Sequence, residues 1–219
     1  MILTYGTTEA SGFKKYYEDI VRRVLDSVHK KEFTPNNFLT GKLLVAMPFM
    51  GDNRFDHAVI YMCGHDEYGA IGLVINKPLN SLTFPDLLTQ LDILSVPTAR
   101  PVQMLAGGPV EVSRGFVLHS IDYQSDSTVR VGEHYSITAT LDILRTLAVG
   151  HGPHKFILTL DYAGWRANQL EQEIQDNLWM IVDPTDEIIF NAPVEFRWRA
   201  SMLSLGVDPS TLSLDYGRA

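Results

Sequence analysis

The chain has 219 residues, 45% of them hydrophobic and 20% charged, a balance that suits a folded globular protein and excludes extensive disorder. Its formal net charge of −8 repels phosphate backbones and argues against nonspecific nucleic-acid binding. A single cysteine excludes an internal disulfide and a multi-cysteine zinc site, and the longest apolar runs, Leu43 to Met47 and Ile71 to Ile75, fall far short of the ~20 residues a membrane-spanning helix needs.

Between Phe13 and Lys31, Phe13, Tyr16, Tyr17, Ile20, Val24, Leu25 and Val28 recur at spacings of three and four, which predicts an amphipathic helix packed on the body or on a second copy. Glu18, Asp19 and Asp26 interrupt its positive face, so a membrane-surface or DNA-contacting role is the weaker reading. Residues 1–38 hold six Lys/Arg and five Asp/Glu, against 12 and 21 in the remainder, so the acidic character belongs to the body. The chain is therefore divided into a tail with an amphipathic helix, 1–38, and one domain, 39–219. No secretory signal pattern is visible, and a cytoplasmic location is expected.

From residue 39 the pattern changes to short apolar runs. "KLLVAM" (42–47), "AVIYMC" (58–63) and "AIGLVIN" (70–76) predict strands, the last two forming a hairpin around a polar loop. "SLTFPDLLTQLDIL" (81–94) predicts a helix with Thr83 as N-cap and Pro85 in its first turn. "VQMLAGGP" and "RGFVLHS" predict two strands flanking a glycine-proline corner, and Val129 to Ile137 a further strand or strand pair. "TATLDILRTLAVGHG" predicts a helix stopped by glycine, and "KFILTLDY" a strand. "WRANQLEQEIQDNLW" (165–179) predicts a helix striped by Trp165, Leu170, Ile174 and Leu178; "EIIFN" (187–191) predicts a short strand, and "VEFRWRASMLSLG" (194–206) a final helix. Strands and helices do not alternate strictly. The fold class expected is α+β, with a largely antiparallel, barrel-like sheet carrying helices outside it.

Chemistry is most concentrated at "YMCGHDEYGAIGLVINKP" (61–78). Cys63 at the mouth of the hairpin, two residues before His65, is a candidate reactive thiol, because a protonated imidazole or loop amides stabilise a thiolate, although Asp66 and Glu67 oppose this. Asp52, Asp56, His57, Cys63, His65 and Asp66 match no specific ligand spacing, nor do His151 and His154, so no metal and no cofactor are expected. The sequence contains no G-x-S-x-G elbow, P-loop or G-x-G-x-x-G fingerprint. Gly107 and Gly108 in "AGGP" could offer amides to an anion or form only a corner. Glu171 and Glu173, two apart, diverge on a helix and are expected on a solvated face.

The ordered set "LLVAMPFMGDNRFDHAVIYMCGHDEYGAIGLVINKPL" (43–79), "LAGGPVEVSRGFVLHS" (105–120) and "DYAGWRANQLEQEIQDNLWMI" (161–181) resembles the AlgH/YqgE family of bacterial proteins. The resemblance spans about residues 39–208. It implies a bent, pseudo-barrel α+β fold in a bacterial cytoplasmic protein, no established catalytic residue, and the label of a transcriptional regulator that one member brought to the family. On these motifs the candidate ligand-binding residues are Cys63, His65, Asn76, Gly107, Gly108, His119, Tyr162, Trp165 and Gln169. The family pattern carries glycine where this chain has Asp161 and Asn168. If those glycines served close approach to a ligand, this chain has lost that role.

The function expected is a non-enzymatic regulatory or ligand-binding module with a small-molecule or protein partner. Direct DNA binding and membrane association are not expected, and a homodimer is left open. The alternative is a thiol-dependent redox sensor or enzyme using Cys63, with His65 or His119 tuning it.

Overall fold

The computed structural model describes residues 39–48, 50–94, 96 and 101–209. The expected helix at 13–31 and the last residues of the tail lie outside them. Nine strands form the sheet: β1 (Leu43–Ala46), β2 (Val59–Asp66), β3 (Gly69–Val74), β4 (Met104–Ala106), β5 (Val110–Ser120), β6 (Thr128–Val131), β7 (Tyr135–Thr138), β8 (Phe156–Arg166) and β9 (Trp179–Val182). Their order is β6-β7-β5-β8-β3-β2-β1-β9, every pair on this path antiparallel, with β4 pairing β8 in parallel. Among the described residues four α-helices accompany it: α1 (Phe84–Gln90), α2 (Leu141–Ala148), α3 (Gln169–Gln175) and α4 (Arg197–Ser204). The α+β expectation and the hairpin at 58–76 hold.

Both faces of the sheet are covered, which is why β1 reads as an unbroken apolar run. Leu43 and Val45 enter a central core with Tyr61, Leu73, Leu105, Leu118 and Ile157, closed off by Ile189, Trp198 and Met202. On the opposite face, Leu44 and Ala46 pack with Ile60, Met62, Trp165, Leu170 and Trp179 under α3, whereas Val117 and Leu158 pack with Phe84, Leu88, Ile143 and Leu147 from α1 and α2. α1 begins where expected. Thr83 Oγ1 accepts from the Asp86 amide at 3.3 Å and the Asp86 carboxylate accepts from the Thr83 amide at 3.2 Å, a reciprocal capping box.

Two strands change the face they present partway along. In β2, Met62 pairs Gly72 but Gly64 pairs Ile71, so Cys63 is the extra residue of a bulge. In β8, Phe156, Leu158 and Leu160 lie on the α1/α2 side, but after Asp161 it is Ala163 and Trp165 that take the outer face, under α3. Asp161 has φ +68°, and the register with β5 shifts between Gly115 and Val110 at the same place. This bend lets β8 pair β4 and β5 with its first half and β3 with its second.

Three expected elements differ. Trp165 belongs to β8 and Trp179 to β9, so only 169–175 is helical, although Trp165, Leu170, Ile174 and Leu178 do share one apolar cluster. "EIIFN" is a single π-helical turn, because a five-residue apolar run without alternation suits a buried turn as well as a strand. The final helix starts at Arg197, after a 3₁₀ turn at Val194–Phe196.

Candidate functional site

The bulge decides the relation of Cys63 to His65. Residues two apart on a regular strand share a face, but the extra residue turns Cys63 into the central core while His65, paired with Ala70, faces α3. Cys63 is 4% exposed, and its Sγ lies 3.4 Å from the Tyr61 carbonyl oxygen. Burial pushes its thiol well above the ordinary value of 9.0. The expected thiolate, stabilised by His65, is therefore not built: the two side chains occupy opposite faces, and among the described residues no cation acts on the sulfur.

His65 is held at both ring nitrogens. Nδ1 accepts from the Leu39 amide at 3.2 Å, which leaves the proton on Nε2 to be donated to Glu171 Oε1 at 2.9 Å. Beside it, Glu173 Oε2 accepts from Trp165 Nε1 and Trp179 Nε1, both at 2.8 Å, and Glu173 Oε1 accepts from Gln169 Nε2 at 2.9 Å. The two indoles, 7% and 4% exposed, meet edge to face with centroids 6.0 Å apart. Glu171 and Glu173 thus are not a merely solvated pair. Glu173 is the joint between α3, β8 and β9, missed because its partners come from strands.

The other candidates are dispersed. Asn76 Oδ1 accepts from the Val59 amide and its Nδ2 donates to the His57 carbonyl, both at 2.7 Å, clipping the end of β3 to the start of β2. Gly107 donates its amide to the Leu160 carbonyl at 2.5 Å, and its carbonyl accepts from the Val74 amide at 2.8 Å. A Cβ on Gly108, whose φ is +153°, would come within 2.1 Å of the Tyr162 carbonyl carbon. The glycine pair is needed for close passage beside the β8 bend, and the Gly107 amide is spent on Leu160. Tyr162 packs edge-on against Phe116 on the core side of that bend. His119, fully buried, donates Nδ1–H to the Ser120 carbonyl at 2.8 Å, so Nε2 accepts from Thr138 Oγ1 at 2.9 Å, which in turn lies 2.8 Å from Thr128 Oγ1. Burial holds the His119 imidazole below its ordinary value, hence neutral. Of the nine candidates, His65, Trp165 and Gln169 are brought together around α3, and Gly107, Gly108 and Tyr162 at the β8 bend, the latter by backbone packing.

A cleft of about 310 Å³ lies elsewhere, between the starts of β4 and β8 and the turn leading into α4. Its polar lining is Gln103, His154, Lys155, Asn191 and Arg197; Leu105, Ile157 and Phe190 supply apolar wall. Arg197 was not among the sequence candidates, since one arginine in "FRWRAS" carries no motif. Its side chain donates from Nη1 to the Ile75 carbonyl and from Nε to the Ala192 carbonyl at 3.2 Å.

The sequence pattern described as AlgH-like matches residues 43–210. The chain belongs to the AlgH-like family. It is 47% identical over 190 residues to a UPF0301 protein of Methylocella silvestris, covering 83% of this chain and 92% of that one, and 47% identical over 183 residues to a UPF0301 protein of Jannaschia sp., covering 83% and 95%. The solution structure of the AlgH protein from Pseudomonas aeruginosa superposes with a TM-score of 0.69 at 40% identity, covering 86% of this chain and all of that one. A crystal structure of a Corynebacterium diphtheriae protein shares the fold, with a TM-score of 0.60 at 20% identity over 78% of this chain and 88% of that one. The sheet is the curled antiparallel half-barrel of these neighbours.

AlgH-like membership also explains the two departures from the family pattern. Asp161 and Asn168 have φ of +68° and +63°, the left-handed region in which glycine is unstrained and Asp and Asn are the side chains best tolerated. The backbone conformation accounts for glycine at both places, with no ligand required.

Proposed function

We propose that this chain is a non-enzymatic ligand-binding module of the bacterial cytoplasm, acting on gene expression through a partner rather than by direct contact with DNA. One observation carries the reading: the residues that could do chemistry are spent on structure, while the described cleft is open and lined by groups that bind. Cys63 is buried with a raised thiol pKa, His65 and Glu171 hold each other, and Glu173 holds two indoles. A volume of about 310 Å³ is at the lower end of small-molecule sites. The net charge of −8 opposes a phosphate-backbone partner.

The test is titration of the isotopically labelled protein with metabolites, nucleotides and candidate proteins, followed by amide chemical shifts. Saturable shifts with at least one partner at physiological concentration are expected, and their complete absence sinks the reading. The thiol alternative is separated by alkylation at neutral pH. Cys63 in the folded chain is expected to react far more slowly than a free cysteine peptide, because it is both protonated and enclosed. Equal or faster reaction would restore the redox alternative.

A further inference from the structure

The cleft beside α4 contains a cation with which no carboxylate of the described residues forms an ion pair. Arg197 is 5% exposed, yet its guanidinium meets only two backbone carbonyls; among the described residues no carboxylate pairs with it, and the acid that acts on it is Glu195, two residues away. Nη2 makes no hydrogen bond among the described residues and is not one of the fully buried polar atoms. Desolvation lowers the pKa of this guanidinium to about 10, so it is still charged at neutral pH. Burying a charge without a counter-ion is costly, and arginine in such a position is suited to a bidentate oxyanion.

The surroundings agree. Among the described residues no Asp or Glu lines the cleft, in a chain whose net charge is −8, and the titratable groups that do are His154, Lys155 and Arg197. Lys155 Nζ is 2.6 Å from Asp186 Oδ2 and His154 Nδ1 is 3.2 Å from Asp122 Oδ2, so these two rim groups have acids beside them, and among the described lining residues Arg197 is the basic group without one. Gln103 and Asn191 add amides to the rim, and Phe156, Ile157 and Phe190 supply apolar surface next to it. On the same sheet face, Thr159, the register partner of the lining residue Leu105, buries a hydroxyl with no hydrogen-bond partner.

Resting on the binding-module reading, we propose that this cleft binds a small organic oxyanion, a carboxylate or phosphate on a compact apolar body, with Arg197 as the counter-ion and the phenylalanine wall packing the apolar part. The cleft is too small for a macromolecule, and a bare inorganic ion would leave the apolar wall unused.

The experiment titrates the labelled protein with benzoate in one arm and phenyl phosphate in another, with benzamide and inorganic phosphate as comparisons, reading the amides of the cleft and the Arg197 side-chain NH. Either anion is expected to saturate shifts at the cleft, with benzamide and inorganic phosphate at least about tenfold weaker; the stronger arm identifies the source as carboxylate or phosphate. Gln103→Glu, at an exposed lining position, places a like charge in the cleft without disturbing the Arg197 bonds and is expected to weaken both anions by about tenfold or more. Arg197→Lys, if folded, is expected to do the same. Benzoate and phenyl phosphate that shift nothing at millimolar concentration, or that bind equally to wild type and Gln103→Glu, overturn the proposal. If other partners still bind under those conditions, the binding-module reading stands without it.

Discussion

On the α3 flank, the Glu173 carboxylate receives the indole protons of Trp165 and Trp179 and an amide proton of Gln169; on the α4 flank, the Arg197 guanidinium meets two carbonyls and, among the described residues, no carboxylate. Both groups stand at the border of an apolar cluster, but among the described residues only the first is matched by polar side chains of its own chain. A saturated buried network fixes the fold, because each member would be left unsatisfied if the geometry changed. An unmatched charge in a cleft is different: it is tolerated in the free protein and becomes useful when a ligand supplies the missing partner. The flank dense in family motifs thus has its polar groups engaged with one another, and the proposed anion site lies on the flank without them.

The largest expected effect tests the saturated side. Glu173→Ala leaves two nearly buried indole N–H groups without their acceptor and is expected to cost about 3 kcal/mol, which lowers the melting temperature by roughly 6–12 °C. Glu173→Gln keeps an acceptor oxygen and is expected to lose less. If both variants melt like the wild type, the carboxylate is not a structural joint, and the contrast with Arg197 disappears.

A second network extends the comparison through pH. Because burial depresses the His119 pKa below 6.5, the unfolded chain takes up this proton first as pH falls. The stability due to neutral His119 is therefore complete above pH 6.5 and is lost as pH drops through the folded-state value, with a slope of at most about 1.4 kcal/mol per pH unit. Urea midpoints measured from pH 7.5 to 5 are expected to fall in the wild type and to fall less steeply in His119→Gln. Asp86 and Asp186, whose pKa values are held below 3.8, contribute only at lower pH.

On the other side of the comparison, Thr159→Val removes an unpartnered buried hydroxyl at constant shape and is expected to stabilise the protein by about 1 kcal/mol in a thermal melt. A loss of similar size would mean that the hydroxyl is satisfied in solution, and the core side would then be as saturated as the α3 flank.

The strands, the 58–76 hairpin and the Thr83-capped helix were legible because apolar runs, turn residues and a capping box act locally. What was not legible depends on strand parity and on partners distant in sequence. The spacing of Cys63 and His65 implied one shared face, but one bulged residue separates them by the thickness of the sheet. Trp165 matched a helical stripe while standing on a strand, since the bend at Asp161 breaks the alternation that would have marked it. The π-helical turn at 187–191 was indistinguishable from a buried strand by hydrophobicity alone. Arg197 had no signal at all, because its burial against backbone carbonyls, with no carboxylate of the described residues bonded to it, is a property of the packed structure.

The smallest expected effect bears on whether the motif residues of the α3 flank serve backbone geometry alone. Asn168 precedes α3 with φ +63° and makes no side-chain cap bond to the helix, so its side chain is not what starts the helix. Glycine adopts this conformation without the Cβ penalty but loses more freedom on folding, and the two terms partly cancel. Asn168→Gly is therefore expected to stabilise by about 0.5 kcal/mol at most, read as a rise of one or two degrees in the thermal midpoint. Asn168→Ala, which keeps a Cβ and lacks the tolerance of asparagine for the left-handed region, is expected to destabilise by about 1 kcal/mol. Should glycine instead change ligand titrations at unchanged stability, position 168 would belong to a binding surface, and the α3 flank would no longer be the purely structural half of the comparison.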